Sequence, residues 1–185
     1  MPAAVHDALV AHLLAHSVRR GDFVLKSGRH SSWFIDAKQT ATRPDGLLLM
    51  AEAMLAVLPD DITAIGGLTM GADPVSFGVA AVAATRGRLL KAFSVRKEAK
   101  DHGGGGRIAG ALDPGDRVAI TEDAVTRGTS LMEAVEVVGA AGAVPVIVVP
   151  LVDRGGTCEA MVRAKGLDYC AIVTAPDLGF SFEGA

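Results

Sequence analysis

The chain reads as an α/β protein with a central, mainly parallel sheet flanked by helices. Three observations predict this. Short apolar runs alternate with longer segments whose apolar residues recur at helical spacing. The run at 144–151 is apolar almost without interruption, as expected of a parallel strand covered on both faces. Half of the 185 residues are hydrophobic but only 4% are aromatic, so layers can pack closely through small side chains. The length suits one domain, spanning 1–185, with a sizeable core.

Val5, Leu9 and Leu13, with Val10 and Leu14 beside them, predict a first helix running to Gly21. His12 and His16 share a face of it at i, i+4; with no carboxylate or cysteine beside them in sequence they read as surface histidines. Residues 23–25 and 33–35 flank a basic tip that contains Lys26 and Gly28, which predicts a hairpin. Pro44 opens a helix carrying Leu47, Met50, Ala51 and Met54, and Pro59 stops it. A short strand at 63–66, a glycine turn at 66–71 and a helix from 72 to about 84 follow, then a strand at 89–95. The turn at 113–116 launches a strand at 117–120. The next helix has Leu131, Val135 and Val138 on one face and ends at Gly142. The strand at 144–151, a helix at 159–165 and a strand at 169–173 complete the alternation.

The stretch 98–110 differs in kind. It sets Lys100, Asp101 and His102 beside four consecutive glycines, which support neither a stable helix nor a packed strand. Two readings stand: a basic mobile loop acting as a lid, or a surface connection. The formal charge of −3 gives no electrostatic case for a nucleic-acid or membrane partner, so any anion site must be a local concentration of base. Cys158 and Cys170 are too few for a disulfide framework and lack metal-ligand spacing. No apolar run reaches membrane-spanning length, and the N-terminus shows no basic segment before a long apolar one. A cytoplasmic protein is the expectation.

The richest segment is 117–130, RVAITEDAVTRGTS. An apolar strand ends in two carboxylates, Glu122 and Asp123. It then passes through Ala124, Val125, Thr126, Arg127 and Gly128 into a helix that begins near Thr129 and Ser130. Backbone N–H groups at such a turn and helix entrance can cradle a phosphate, with the helix dipole adding attraction. The carboxylates can accept hydrogen bonds from sugar hydroxyls or hold a water-shelled Mg²⁺. The pattern suits a sugar phosphate.

Residues 122–130 resemble the ribose-phosphate signature of the type I phosphoribosyltransferases. Four further segments extend the likeness to the orotate phosphoribosyltransferases within them. These are the hairpin at 23–36, the glycine turn at 66–74, the run from Val95 to Gly103 with its Arg-Lys-x-x-Lys-x-His-Gly pattern, and Asp153-Arg154. The resemblance implies the type I phosphoribosyltransferase fold, with residues 1–40 as part of a small N-terminal hood and 98–110 as a flexible catalytic loop. It also implies transfer of ribose 5-phosphate from phosphoribosyl pyrophosphate to orotate, giving orotidine 5′-monophosphate and pyrophosphate in pyrimidine synthesis. Mg²⁺ is implied as cofactor, held mainly through substrate and water. A homodimer is implied too, each loop closing over its partner's site.

On this resemblance Lys100, His102 and Asp123 are the catalytic residues. Arg96, Lys97, Lys100, His102 and residues 122–130 bind phosphoribosyl pyrophosphate, while Thr126, Arg154, Lys26 and Phe34 border orotate. A general acid/base role for the acidic pair is not expected, because nothing nearby in sequence argues for a strongly raised pKa. Two positions depart from the family pattern. Thr69-Met70 stands where an aromatic residue and a lysine are usual, and Arg127 stands where small residues are usual, pointing either to solvent or to phosphate. A transferase for another nucleobase and a non-catalytic binding regulator are the alternatives.

Overall fold

In the computed structural model, residues 1–24, 28, 30–99 and 106–184 are described. Lys26, Lys100 and His102 lie outside the described residues. The elements run α1 (Ala3–His16), β1 (Val18–Val24), β2 (His30–Ile35), α2 (Lys38–Ala41), α3 (Pro44–Leu55), β3 (Ala64–Leu68), α4 (Ala72–Thr85), β4 (Lys91–Val95) and β5 (Ile108–Gly110). They continue with β6 (Arg117–Ile120), β7 (Ala124–Val125), α5 (Thr129–Ala140), β8 (Val144–Val148), β9 (Val152–Asp153), α6 (Cys158–Ala164), β10 (Asp168–Tyr169) and β11 (Val173–Thr174).

Six strands form the main sheet in the order β10-β8-β6-β3-β4-β5, parallel except for β5 at the edge. Strand side chains alternate between its faces. On β6, Ala119 joins Leu9, Leu13, Met50, Met54, Val75 and Val79 of α1, α3 and α4. Val118 and Ile120 instead meet Phe93 with Leu131 and Val138 of α5 and Val162 of α6. Helices thus cover both faces, and the predicted α/β class with its mainly parallel sheet is the architecture observed.

Several boundaries differ from the sequence reading. The first helix stops at His16, because residues 18–20 pair with 33–35 across the hairpin and Gly21 falls inside β1. His12 is buried, not a surface group. Its Nδ1 lies 3.1 Å from Thr40 Oγ1, and Asp45 sits 3.3 Å from its other nitrogen. The strand expected at 63–66 runs on through Gly67 and Leu68, into the segment read as a glycine turn. Residues 108–110 of the glycine-rich stretch pair with β4 as a strand, beside an Arg107–Glu133 ion pair. The expected strand at 169–173 is two strands in two sheets, β10 on the main sheet and β11 on a small parallel sheet ordered β11-β9-β7.

Candidate active site

The small sheet assembles the site. Beyond β6 the chain passes Thr121, whose hydroxyl donates to Val149 O at 2.8 Å, and presents Glu122 and Asp123 at the carboxyl edge of the main sheet. This is where parallel sheets bind ligands. β7 then pairs in parallel with β9, Val125 opposite Asp153, and Arg154 N–H donates to Val125 O at 2.8 Å. That pairing sets two loops side by side that lie far apart in sequence. The turn after β7 ends at Gly128, whose φ of +78° strains any residue with a Cβ. No side chain caps the first turn of α5, which leaves its N–H groups directed outward for an anion.

The cleft above this edge has a volume of about 940 Å³. Residues 122–130 line it together with Arg154, with Phe34 and Ile35 of β2, and with Lys38 of α2. Asp123 is only 7% exposed, and Lys38 Nζ lies 2.8 Å from its Oδ2 and 3.1 Å from Asp36 Oδ1. Burial works against the charge on Lys38, but the hydrogen bonds and charges of Asp123 and Asp36 outweigh it and hold its pKa above the ordinary value. Burial first, then the like charge of Asp123, push the Glu122 carboxyl up to about 7. This corrects the expectation that no strongly raised pKa sits here: the folded cleft desolvates Glu122, and a linear sequence does not show it. A group so placed can exchange a proton near neutral pH.

Arg154 is held by a buried network. Asp153, 3% exposed, accepts from the N–H groups of Gly155 and Gly156, each at 2.9 Å, and from the Tyr169 hydroxyl at 2.8 Å. Burial and the Asp153 carboxylate push the Tyr169 phenol far above its usual range, so it stays a donor. Gly155 packs against Thr126, where an added Cβ would stand 1.8 Å from the Thr126 carbonyl oxygen. Arg154 is itself 7% exposed, and its guanidinium donates through Nη2 to Glu183 Oε2 at 2.8 Å and to Trp33 O at 3.3 Å. A buried arginine facing the same cleft as the open start of a helix has the chemistry to receive an anionic group.

The chain is similar to known proteins over most of its length. The orotate phosphoribosyltransferase of Nostoc sp. is 42% identical over 161 residues, covering 86% of this chain and 78% of that protein. The Synechocystis sp. orotate phosphoribosyltransferase is 39% identical over 179 residues, covering 96% and 90%. The chain belongs to the orotate phosphoribosyltransferase family. No protein-family model matches it. Among solved structures, Mycobacterium tuberculosis orotate phosphoribosyltransferase in complex with 5-phospho-alpha-D-ribosyl 1-diphosphate superposes with a TM-score of 0.79 at 31% identity, covering 95% of this chain and 99% of that one.

For an orotate phosphoribosyltransferase chain, the structure gathers Glu122, Asp123, residues 124–130, Arg154 and Phe34 around one cleft. Arg127 is exposed where it lines that cleft. Arg96 and Lys97 stand just beyond β4 on the same carboxyl edge but do not line the cleft. Sequence reasoning missed Lys38, Arg19, Phe23 and Val24, which also line it, and Glu183 behind Arg154. The one signal for Lys38 was its place two residues after Asp36, at the end of the hairpin segment.

Proposed function

We propose that this chain transfers the ribose 5-phosphate group of phosphoribosyl pyrophosphate to orotate, releasing pyrophosphate and forming orotidine 5′-monophosphate. The observation that carries the reading is a single cleft bounded by the acidic pair, the open N-terminus of α5 and a buried arginine. N–H groups at 126–130 take the 5′-phosphate, while Glu122 and Asp123 accept from the ribose hydroxyls. Arg154 takes the orotate carboxylate, Thr126 bonds to the pyrimidine, and Phe34 flanks the ring. The bond from the anomeric carbon to the pyrophosphate oxygen breaks as the bond to the base nitrogen forms, and that nitrogen gives up its proton to solvent. Holding both reactants in register supplies much of the acceleration.

Lys100 and His102, with Arg96 and Lys97, are proposed to meet the negative charge growing on pyrophosphate. Met70 brings no charge to the glycine turn, which leaves that task to these bases and to backbone amides. Among the described residues no cluster of three or more metal-binding side chains occurs. Two carboxylates at a phosphate cleft still fit Mg²⁺, which favours one or two carboxylates with substrate phosphates and water. Glu122 and Asp123 would hold it, and when bound it supplies charge neutralisation on the pyrophosphate. We place the protein in the cytoplasm, supported by two free thiols, and propose a homodimer, for which exposed Leu48 on α3 and Phe77 on α4 offer apolar surface.

Mixing the purified protein with orotate, phosphoribosyl pyrophosphate and Mg²⁺ tests the reading. Orotate absorbance should fall, and no other base in a panel should release pyrophosphate at a comparable rate. Turnover of a purine in place of orotate would overturn the substrate.

A further inference from the structure

We propose that the segment 180–183 is a positioning element for the substrate's carboxylate receptor, acting through Glu183 on Arg154. This inference rests on the reading of orotate as substrate. Five contacts carry it. Glu183 Oε2 accepts from Arg154 Nη2 at 2.8 Å, with both side chains nearly buried, at 13% and 9% exposure. The Glu183 N–H donates to Arg154 O at 2.9 Å, so main chain and side chain grip the same residue. Glu183 Oε1 also accepts from the hydroxyl of Ser31 on β2. Phe180 stacks on Trp33 with ring centroids 4.4 Å apart and planes 4° apart, and the Arg154 guanidinium carbon lies 4.6 Å from the Trp33 ring centroid.

The grip comes from outside the substrate cleft. Arg154 lines the 940 Å³ cleft, whereas Glu183 lines a separate cavity of about 300 Å³ with Ser31, Trp33 and Phe180. Nη2 is fully engaged by Glu183 and the Trp33 carbonyl. A guanidinium is planar, so fixing one nitrogen over an aromatic face fixes the direction of its remaining donors. A buried arginine also needs a counter-charge to be tolerated while its site is empty. Glu183 supplies that counter-charge without standing where orotate would. The substrate carboxylate then meets an arginine already aimed, and less ordering remains to be done on binding.

The test is steady-state kinetics of Glu183→Gln, which keeps the shape and removes the charge. KM for orotate should rise about tenfold, with kcat and KM for phosphoribosyl pyrophosphate within about twofold of wild type. Glu183→Asp should recover part of the loss. Calorimetric titration of orotate should show the same weakening without turnover. Ser31→Ala, which keeps the Glu183 charge but removes the hydroxyl's bonds to Glu183 and to the Trp33 backbone, covers the case in which Glu183→Gln fails to fold, and should raise KM for orotate severalfold. An unchanged KM for orotate in both variants overturns the proposal. So does a lowered one, which would make the segment a competitor. Failure of the substrate reading looks different, because wild type itself would then leave orotate untouched.

Discussion

Glu122 ties the fold to a measurable pH dependence. Its carboxyl is raised from 4.5 to about 7, chiefly by burial and then by Asp123. The folded protein therefore holds a proton there that the unfolded chain has released between those two values. Stability must fall as pH rises through that window and level off above about 7. The interval corresponds to about 3 kcal/mol as an upper bound, which solvent reaching the half-buried carboxyl reduces. Glu122→Gln removes the titration and leaves the cleft's shape. Urea unfolding of both proteins at pH 5 and pH 8 isolates the difference, since every other titrating group is shared. Wild type should lose about 1–3 kcal/mol between these conditions relative to the variant. Parallel profiles would refute the argument that the cleft desolvates Glu122.

Lys38→Met removes the cation that holds Asp123; KM for phosphoribosyl pyrophosphate should rise about tenfold while KM for orotate stays near wild type, as initial-rate kinetics will show. Gly155→Ala would drive a methyl group into the Thr126 carbonyl. A loss of about 3 kcal/mol should follow, read as a fall of roughly 10 °C in Tm by calorimetry. Lys100→Ala should lower kcat by orders of magnitude with little change in orotate binding, and a wild-type turnover number would remove that lysine from the chemistry.

The sequence revealed those parts of the molecule that depend on neighbours along the chain. Helical spacing in residues 5–14, the apolar run at 144–151 and the acid pair before a hydroxyl-rich turn are local patterns, and each marks an element or edge that the structure contains. Contacts across long separations were illegible. Lys38 meets Asp123 from 85 residues away, and Ser31 meets Glu183 from 152. Neither pair carries a motif. Gly21 and Gly67 looked like breakers because glycine is weak in isolation, but hairpin pairing on either side of a bulge at Gly21, and pairing of Gly67 within the main sheet, overrode that tendency. The division of 168–174 between two sheets follows from β9 pairing with β11, which only the folded topology sets. The raised pKa of Glu122 has the same origin, since burial is a property of the assembled cleft.

Titration of phosphoribosyl pyrophosphate into the protein with Mg²⁺, followed by calorimetry, examines the phosphate cradle most directly. Heat of binding at one site per chain is expected, diminished when ribose 5-phosphate is already present and weakened in Asp123→Asn. Absence of heat at millimolar sugar would contradict it.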